Sequence, residues 1–241
     1  MKKRIWELDV LRGICILGVV AVHFIYDLVE LYQLVHWEYP PLFSFIKQWG
    51  GVLFLLISGI CVTLGNHSVR RGIVVFFCGL IISGVTYGMY HYGFAGKSIM
   101  IYFGVLHCLG TCMLLWPMYK NTPWWGLLLQ GLILVALGLY CSDLIMNRQL
   151  IIDSQWLIPL GLFPTNFASS DYFPLLPNLG FFLIGSAIGK TVYKKKESLL
   201  PMVRPENCIV RFFSFFGKHS LWIYLLHQPL LAGIFYLITL F

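Results

Sequence analysis

Residues 8–30 read LDVLRGICILGVVAVHFIYDLVE, and this stretch decides the class of fold. Its ionisable residues lie toward the two ends, and an unbroken apolar run separates Arg12 from His23. A helix needs about 20 predominantly apolar residues to cross the hydrocarbon core of a bilayer. We therefore expect residues 9–30 to form a membrane-spanning helix.

Six further apolar runs of similar length follow along the chain. Of its 241 residues, 59% are hydrophobic and only 11% are charged, whereas soluble domains carry about 25% charged residues. The sequence predicts an all-α fold, a polytopic transmembrane helical bundle of about seven spans that forms a single membrane domain over residues 1–241. Besides 9–30, the expected spans are 43–65, 70–90, 99–119, 124–143, 174–192 and 218–240.

A shorter apolar segment, 150–163, contains Pro159 and Gly161. It could be an eighth span, a re-entrant piece or an interfacial helix. A complete extra span would move Lys190 and residues 194–196 to the side of the membrane opposite the other basic segments. We therefore expect a re-entrant or interfacial segment here.

The distribution of basic residues predicts the orientation of the chain. With the N-terminus in the cytoplasm, seven spans leave fourteen of the 17 Lys and Arg residues inside and only Lys47, Lys97 and Arg148 outside. This asymmetry follows the positive-inside rule, so the net charge of +7 needs no nucleic-acid partner. We expect a multi-pass protein of the plasma (inner) membrane whose partner is the lipid bilayer, with a cytoplasmic N-terminus and an extracytoplasmic C-terminus. The sequence is compatible with a homo-oligomer and leaves the oligomeric state open.

Ionisable side chains inside the first span are the strongest functional candidates, because a charge in the membrane costs at least about 2.5–3.5 kcal/mol on insertion scales. Arg12 and His23 lie about 16 Å apart along a helix, at 1.5 Å per residue. His23 and Asp27 are four residues apart and share a helix face, so the carboxylate could fix the imidazole tautomer and raise its basicity. Alternatively, His23 hydrogen-bonds a neighbouring helix and Asp27 is a solvated helix end.

Other polar residues have ordinary structural explanations beside the functional ones. His107 and His227 lie within predicted spans and could line a substrate pocket or serve helix packing. Arg70 and Arg71 open the third span, either as orientation signals or, with Arg12, as a clamp for phosphate groups. The seven cysteines form no CxxC pair, and no metal site is expected.

The first span resembles the start of two related groups of membrane acyltransferases. Residues 8–23, LDVLRGICILGVVAVH, carry an Arg followed by a His eleven positions later, as type-3 acyltransferases do; here the pair is Arg12 and His23. The second group, the bacterial relatives of heparan-alpha-glucosaminide N-acetyltransferase, is similar over nearly the whole chain. That similarity extends through LFLLISG (53–59), YFGVLHCLG (102–110), DYFPLLPNLGFFLIG (171–185) and FFGKHSLWIYLLHQP (215–229).

The resemblance implies an acyl-CoA donor, acetyl-CoA in the first place, held from the cytoplasm, and a glycan or small-molecule acceptor reached from the other side. It makes His23 the catalytic candidate and Arg12, Arg70 and Arg71 the candidates for the donor site. One departure matters, because the lysosomal enzyme has no histidine at the position of His23. Its catalytic histidine lies in the loop after the first helix, near the place of His36 here, so two histidines compete for one role.

Three classes of function remain open on the sequence. The first is an acyltransferase in which His23 takes a proton from the acceptor, Asp27 orients His23, and the arginines bind the phosphates of CoA. The alternative is a transporter or permease for a small polar solute, with His23, His107 and His227 along its path. A third is a non-catalytic membrane subunit. The acyltransferase is favoured, since the sequence contains no internal repeat of the kind that many transporters carry.

Overall fold

The computed structural model describes residues 5–94, 96–164, 166–203 and 205–239. The structure is 73% helical and has no strand within those ranges, which confirms the predicted all-α class. Four basic residues that contribute to the predicted charge asymmetry lie outside the described residues: Lys2, Lys3, Arg4 and Arg204.

Each expected span contains an α-helix. Over the described ranges the α-helices are α1 Trp6–Tyr26, α2 Pro41–Leu64, α3 Ser68–His91, α4 Val105–Tyr119, α5 Trp124–Met146, α6 Leu175–Thr191, α7 Cys208–Lys218 and α8 Ser220–Thr239. A π-helical segment, Asp27–Leu31, continues α1. Short 3-10 helices lie at Lys97–Ile99 and Gln155–Leu160.

Five helices in the described part of the chain are long and apolar enough to cross a membrane. These are Trp6–Leu31, Pro41–Leu64, Ser68–His91, Trp124–Met146 and Ser220–Ile238. The helices inside the other two expected spans are shorter, with 15 residues in α4 and 17 in α6. Since about 20 residues are needed to cross the hydrocarbon core, the expected count of seven full spans is not confirmed.

The helix expected from residue 99 begins six residues later, at Val105. The backbone N–H of Val105 donates to the Asp171 carboxylate at 3.0 Å, and the N–H of Phe173 donates to the carbonyl of Phe103 at 2.9 Å. These contacts hold the segment before Val105 in an extended form against a distant loop. Pairing between the two segments therefore overrides the apolar pattern that predicted a longer helix.

Two short segments, one within 150–163 and the other α7, are not predicted spans. Within 150–163 the only regular element described is the six-residue 3-10 helix Gln155–Leu160, which is far too short to cross a membrane. Helix α7 lies outside the expected spans except for its last residue, and its apolar side chains Ile209, Phe212 and Phe215 are exposed. An amphipathic helix of only 11 residues lacks the long apolar run that marks a span.

The chain divides into two compact units, and α2 runs from the first into the second. The first unit comprises residues 1–57 and 195–241, and in it α1 packs against α7 and α8. The second comprises residues 58–194, in which α3 packs against α4 and α5 packs against α6. The single membrane domain expected from the sequence stays a prediction.

Two glycines bring α1 and α7 into backbone contact. A Cβ atom on Gly13 would collide with the carbonyl of Phe213, and one on Gly217 would collide with the carbonyl of Asp9. Small residues allow this close approach between helices that have no hydrophobic driving force for association inside a bilayer. The crossing joins α7 to the part of α1 that carries Asp9 and Arg12.

Candidate functional site

The first unit contains a pair of histidines between α1 and α8. The Nδ1 atom of His23 lies 2.6 Å from the Nε2 atom of His227. The ring centroids are 4.8 Å apart and the ring planes differ by 14°. That centroid separation is close to the N···N distance plus the radii of two imidazole rings, so the rings meet edge to edge and nearly coplanar. This geometry is that of a hydrogen bond between two imidazoles.

His227 is also held by its own helix. Its Nδ1 atom lies 2.6 Å from the backbone carbonyl oxygen of Tyr224, so both of its ring nitrogens are engaged. On His23 the described contacts involve Nδ1, and Nε2 has no partner among them. His227 is buried, with 6% of its surface exposed. The pair therefore presents one unengaged imidazole nitrogen, on His23.

Asp27 pairs with Gln228, the residue that follows His227 on α8. It is the first residue of the π-helical segment and is 2% exposed. The side chain of Gln228 lies within hydrogen-bonding reach of its carboxyl group, while Oδ1 has no hydrogen-bond partner. The expected pairing of Asp27 with His23 is not found among the described contacts, in which Nδ1 of His23 lies against His227.

Arg12 lies near the start of α1, beside acidic groups. Its guanidinium is 3.9 Å from the Asp9 carboxylate, and the Arg12 side chain is 23% exposed. Glu7 accepts a hydrogen bond of 2.8 Å from the backbone N–H of Leu199. Carboxylates at a helix N-terminus are favoured by the helix dipole. Arg12 remains partly accessible, about 16 Å along the helix axis from His23.

His36 is exposed in the loop between the π-helical segment and α2. No hydrogen bond, ion pair or ring contact joins it to another residue that the structure describes. Its loop is otherwise organised: Lys47 donates to Glu30 at 2.6 Å and lies 5.0 Å from the centre of the Tyr39 ring. Burial, with the Glu30 carboxylate nearby, raises the pKa of Tyr39 to about 12. His36 thus lacks the fixed orientation that His23 has.

The candidate donor-site arginines of the second unit lie at the start of α3. Arg70 and Arg71 are both exposed in the first turn of that helix. Arg71 donates from Nε to the carbonyl oxygen of His67 at 3.4 Å. Exposed guanidinium groups at this point are available to a ligand, and basic residues beside a predicted span are also ordinary orientation signals.

His107 is fully engaged at the start of α4. It is 3% exposed, and its Nδ1 accepts from the backbone N–H of Gly104 at 3.2 Å. Nε2 lies 3.4 Å from the Ser83 hydroxyl, which donates to the carbonyl of Ile101 at 2.6 Å. Because Nδ1 is an acceptor in this arrangement, the ring proton lies on Nε2 and points at Ser83. His107 thereby stabilises the N-terminus of α4.

Two groups that contact Asp27 and His227 were not predicted from the sequence. Gln228 and the carbonyl of Tyr224 complete the contacts of Asp27 and His227. The adjacency of His and Gln in YLLHQP was the available signal. It predicts nothing until α8 is known to pack against α1.

One family model matches the chain, over residues 4–229, and its description is heparan-alpha-glucosaminide N-acetyltransferase, catalytic. No curated protein and no solved structure matches. The matched region includes both the Arg12–His23 helix and the His227–Gln228 pair. The chain therefore belongs to the heparan-alpha-glucosaminide N-acetyltransferase catalytic-domain family, a family of membrane acyltransferases.

Proposed function

We propose that the protein transfers an acyl group, acetyl in the first place, from cytoplasmic acyl-CoA to an extracytoplasmic glycan or small-molecule acceptor. The family supports an acetyltransferase-type membrane enzyme. The observation that carries the proposal further is the His23–His227 hydrogen bond of 2.6 Å inside apolar helices. An intramembrane ionisable residue marks function by default, and this one has an unengaged nitrogen.

His23 is the general base of the proposed reaction. A neutral imidazole Nε2 accepts the proton of an acceptor hydroxyl or amine while the acceptor oxygen or nitrogen attacks the thioester carbonyl. The new bond to the acyl carbon forms, the C–S bond breaks, and the CoA thiolate leaves. The imidazolium returns its proton to the thiolate, which leaves the enzyme unchanged and CoA as the free thiol. A route through an acyl-histidine would use the same nitrogen as a nucleophile.

The donor enters from the side that carries the basic residues. With the N-terminus in the cytoplasm, as the positive-inside rule predicts, Arg12 is near the inner face and His23 is about 16 Å deeper. A pantetheine arm has roughly this reach, so the phosphates of CoA bind Arg12 while the thioester approaches His23. Guanidinium groups bind phosphate through paired, charge-assisted hydrogen bonds. Arg70 and Arg71 stay candidates for donor binding, as the family resemblance implies.

Of the two competing histidines, we assign catalysis to His23. A general base has to be held at a fixed position relative to the proton it takes. His23 is held by His227, whereas His36 is exposed with no described partner.

The test measures release of CoA from acetyl-CoA by the protein in lipid nanodiscs, with glycan and small amine or alcohol acceptors. We expect His23→Gln to lower kcat at least about 100-fold, the usual contribution of a general base, and His36→Gln to leave it within about threefold. The reverse ranking would move the catalytic role to His36. Failure of the wild-type protein to bind acetyl-CoA would overturn the acyltransferase itself.

A further inference from the structure

We infer that His227 is the positioning residue that fixes the tautomer of His23, so that the lone pair of His23 lies on Nε2. This inference rests on the proposed function, because it concerns how the base of that reaction is prepared. His227 itself touches no reacting atom in this scheme. Its effect reaches the acceptor only through the ring of His23.

The backbone carbonyl of Tyr224 fixes the tautomer of His227. A carbonyl oxygen only accepts hydrogen bonds. The nitrogen 2.6 Å away, Nδ1 of His227, is therefore the protonated one. A neutral imidazole carries one proton, so Nε2 of His227 has a lone pair and is an acceptor.

The tautomer of His227 in turn fixes that of His23 on α1. Nε2 of His227 accepts from the ring nitrogen 2.6 Å away, which is Nδ1 of His23. Nδ1 of His23 therefore carries the proton, and Nε2 of His23 carries the lone pair. The Tyr224 carbonyl on α8 thus determines, through the ring of His227, which ring nitrogen of His23 is basic. Without this constraint His23 is free to adopt the other tautomer, in which Nε2 is protonated and cannot act as a base.

Hydrogen bonding between two neutral imidazoles suits the low dielectric constant inside the membrane. A carboxylate bound to Nδ1 of His23 would add a further full charge inside the membrane, besides that of Asp27, at a cost of several kcal/mol. A neutral imidazole orients His23 without that charge. When His23 takes the acceptor proton, its Nδ1–H becomes a charge-assisted donor to His227, and that hydrogen bond strengthens. The pair therefore stabilises the imidazolium at the moment it forms.

Asp27 does not compete for this role. Its described side-chain partner is Gln228, and Nδ1 of His23 is already bound to His227. The orienting function expected of Asp27 on grounds of helix spacing falls to a residue 204 positions from His23 in the sequence.

The structural test is the ring-nitrogen NMR spectrum of the protein labelled with ¹⁵N-histidine in nanodiscs, without donor or acceptor. His23→Gln identifies the signals of His23. We expect His23 in the wild-type protein to have a protonated Nδ1 and an unprotonated Nε2, and His227 the same pattern. In His227→Leu, which keeps the volume but cannot accept a hydrogen bond, His23 should shift to a mixture of tautomers. A wild-type His23 protonated on Nε2 overturns the inference.

The kinetic test compares two substitutions of His227. In His227→Gln the side-chain oxygen accepts from Nδ1–H of His23, so we expect kcat within about tenfold of wild type. His227→Leu should lower kcat by about 100-fold or more, the size of the general-base contribution, with the KM for acetyl-CoA within about twofold. Equal loss in both variants would mean that His227 serves packing only, and retained activity in His227→Leu would also overturn the inference.

His219, the residue between α7 and α8, provides a matched control. His219 makes a similar local contact, with Nδ1 2.8 Å from the carbonyl oxygen of Phe215, four residues before it, but it is exposed and has no histidine partner in the described contacts. We expect His219→Gln to leave kcat unchanged. If wild-type protein transfers no acyl group at all, the proposed function fails. The NMR result still decides whether His227 sets the tautomer.

Discussion

The carboxyl group of Asp27 lies against the side chain of Gln228, one residue along α8 from the histidine that binds His23. His23 on α1 and Asp27 on its π-helical continuation, four residues apart, thus meet two consecutive residues of α8. Both contacts are polar, and both lie within helices that are long and apolar enough to cross a membrane. In such surroundings an unpaired polar atom is costly, and Oδ1 of Asp27 is one.

Removing the charge of Asp27 should stabilise the protein. We expect Asp27→Asn to raise the free energy of unfolding by about 1–3 kcal/mol, because burying a charged group with an unsatisfied oxygen costs more than burying a neutral amide, and the amide keeps the contact with Gln228. Thermal unfolding in nanodiscs measures the change. Glu30→Gln is the control, because Glu30 lies in an exposed ion pair with Lys47, and such pairs contribute about 0–1 kcal/mol. A lower stability of Asp27→Asn would mean that the carboxylate is satisfied.

The close crossing of α1 and α7 predicts that alanine destabilises the protein at Gly13 but not at Gly18, another glycine of α1. Gly13→Ala forces a Cβ into the carbonyl of Phe213, and we expect a loss of at least about 1–3 kcal/mol, as for overpacked cores. Gly18→Ala lies on the same helix with no atom within 4 Å of the added Cβ, and it should change stability by no more than about 1 kcal/mol. Thermal unfolding again gives the comparison. Equal effects would place the α1–α7 contact elsewhere.

Arg12 should matter for the donor and only through its phosphates. We expect Arg12→Ala to raise the KM for acetyl-CoA about 10- to 100-fold, the loss of one charge-assisted contact, with a smaller effect on kcat. Acetyl-pantetheine lacks the phosphates, so wild type and Arg12→Ala should use it equally well. Arg148→Ala, in a loop predicted to lie outside, is the control. A loss of activity with both donors would assign Arg12 a structural role.

His107 should affect folding rather than chemistry. In His107→Ala the buried backbone N–H of Gly104 loses its acceptor, so we expect a loss of about 1–3 kcal/mol in stability and near-normal kcat in the fraction that folds. Thermal unfolding and active-site titration measure the two effects. His91→Ala, at an exposed helix end, should change neither. A 100-fold loss of kcat without loss of stability would contradict this assignment.

The natural cysteine Cys208 tests the proposed orientation. It is exposed at the first position of α7, in a segment predicted to face the cytoplasm. A membrane-impermeant maleimide should therefore label it only after the cells are permeabilised, and Cys208→Ser should remove that labelling. Lys97→Cys, predicted to lie outside, should be labelled in intact cells. Labelling of Cys208 in intact cells would reverse the orientation.

Much of the helical structure could be predicted because it depends on local properties. An apolar run of sufficient length forms a helix in a bilayer, where every backbone polar group has to be satisfied within the segment. The start of α4 could not be predicted in this way, since Asp171 holds it from a separate loop. Nor could α7, whose short amphipathic pattern carries little signal unless its contact with Gly13 is known.

The Arg12–His23 relationship is a property of the sequence itself. Eleven residues of helix set a separation of about 16 Å whatever surrounds them, so the sequence determined the membrane class of the fold and the two ends of the proposed reaction path. The partner of His23 was decided by tertiary structure alone. Asp27 and His227 were both eligible by chemistry, and the packing of α8 on α1 chose His227 because hydrogen bonds depend on distances of about 3 Å, which sequence separation does not encode.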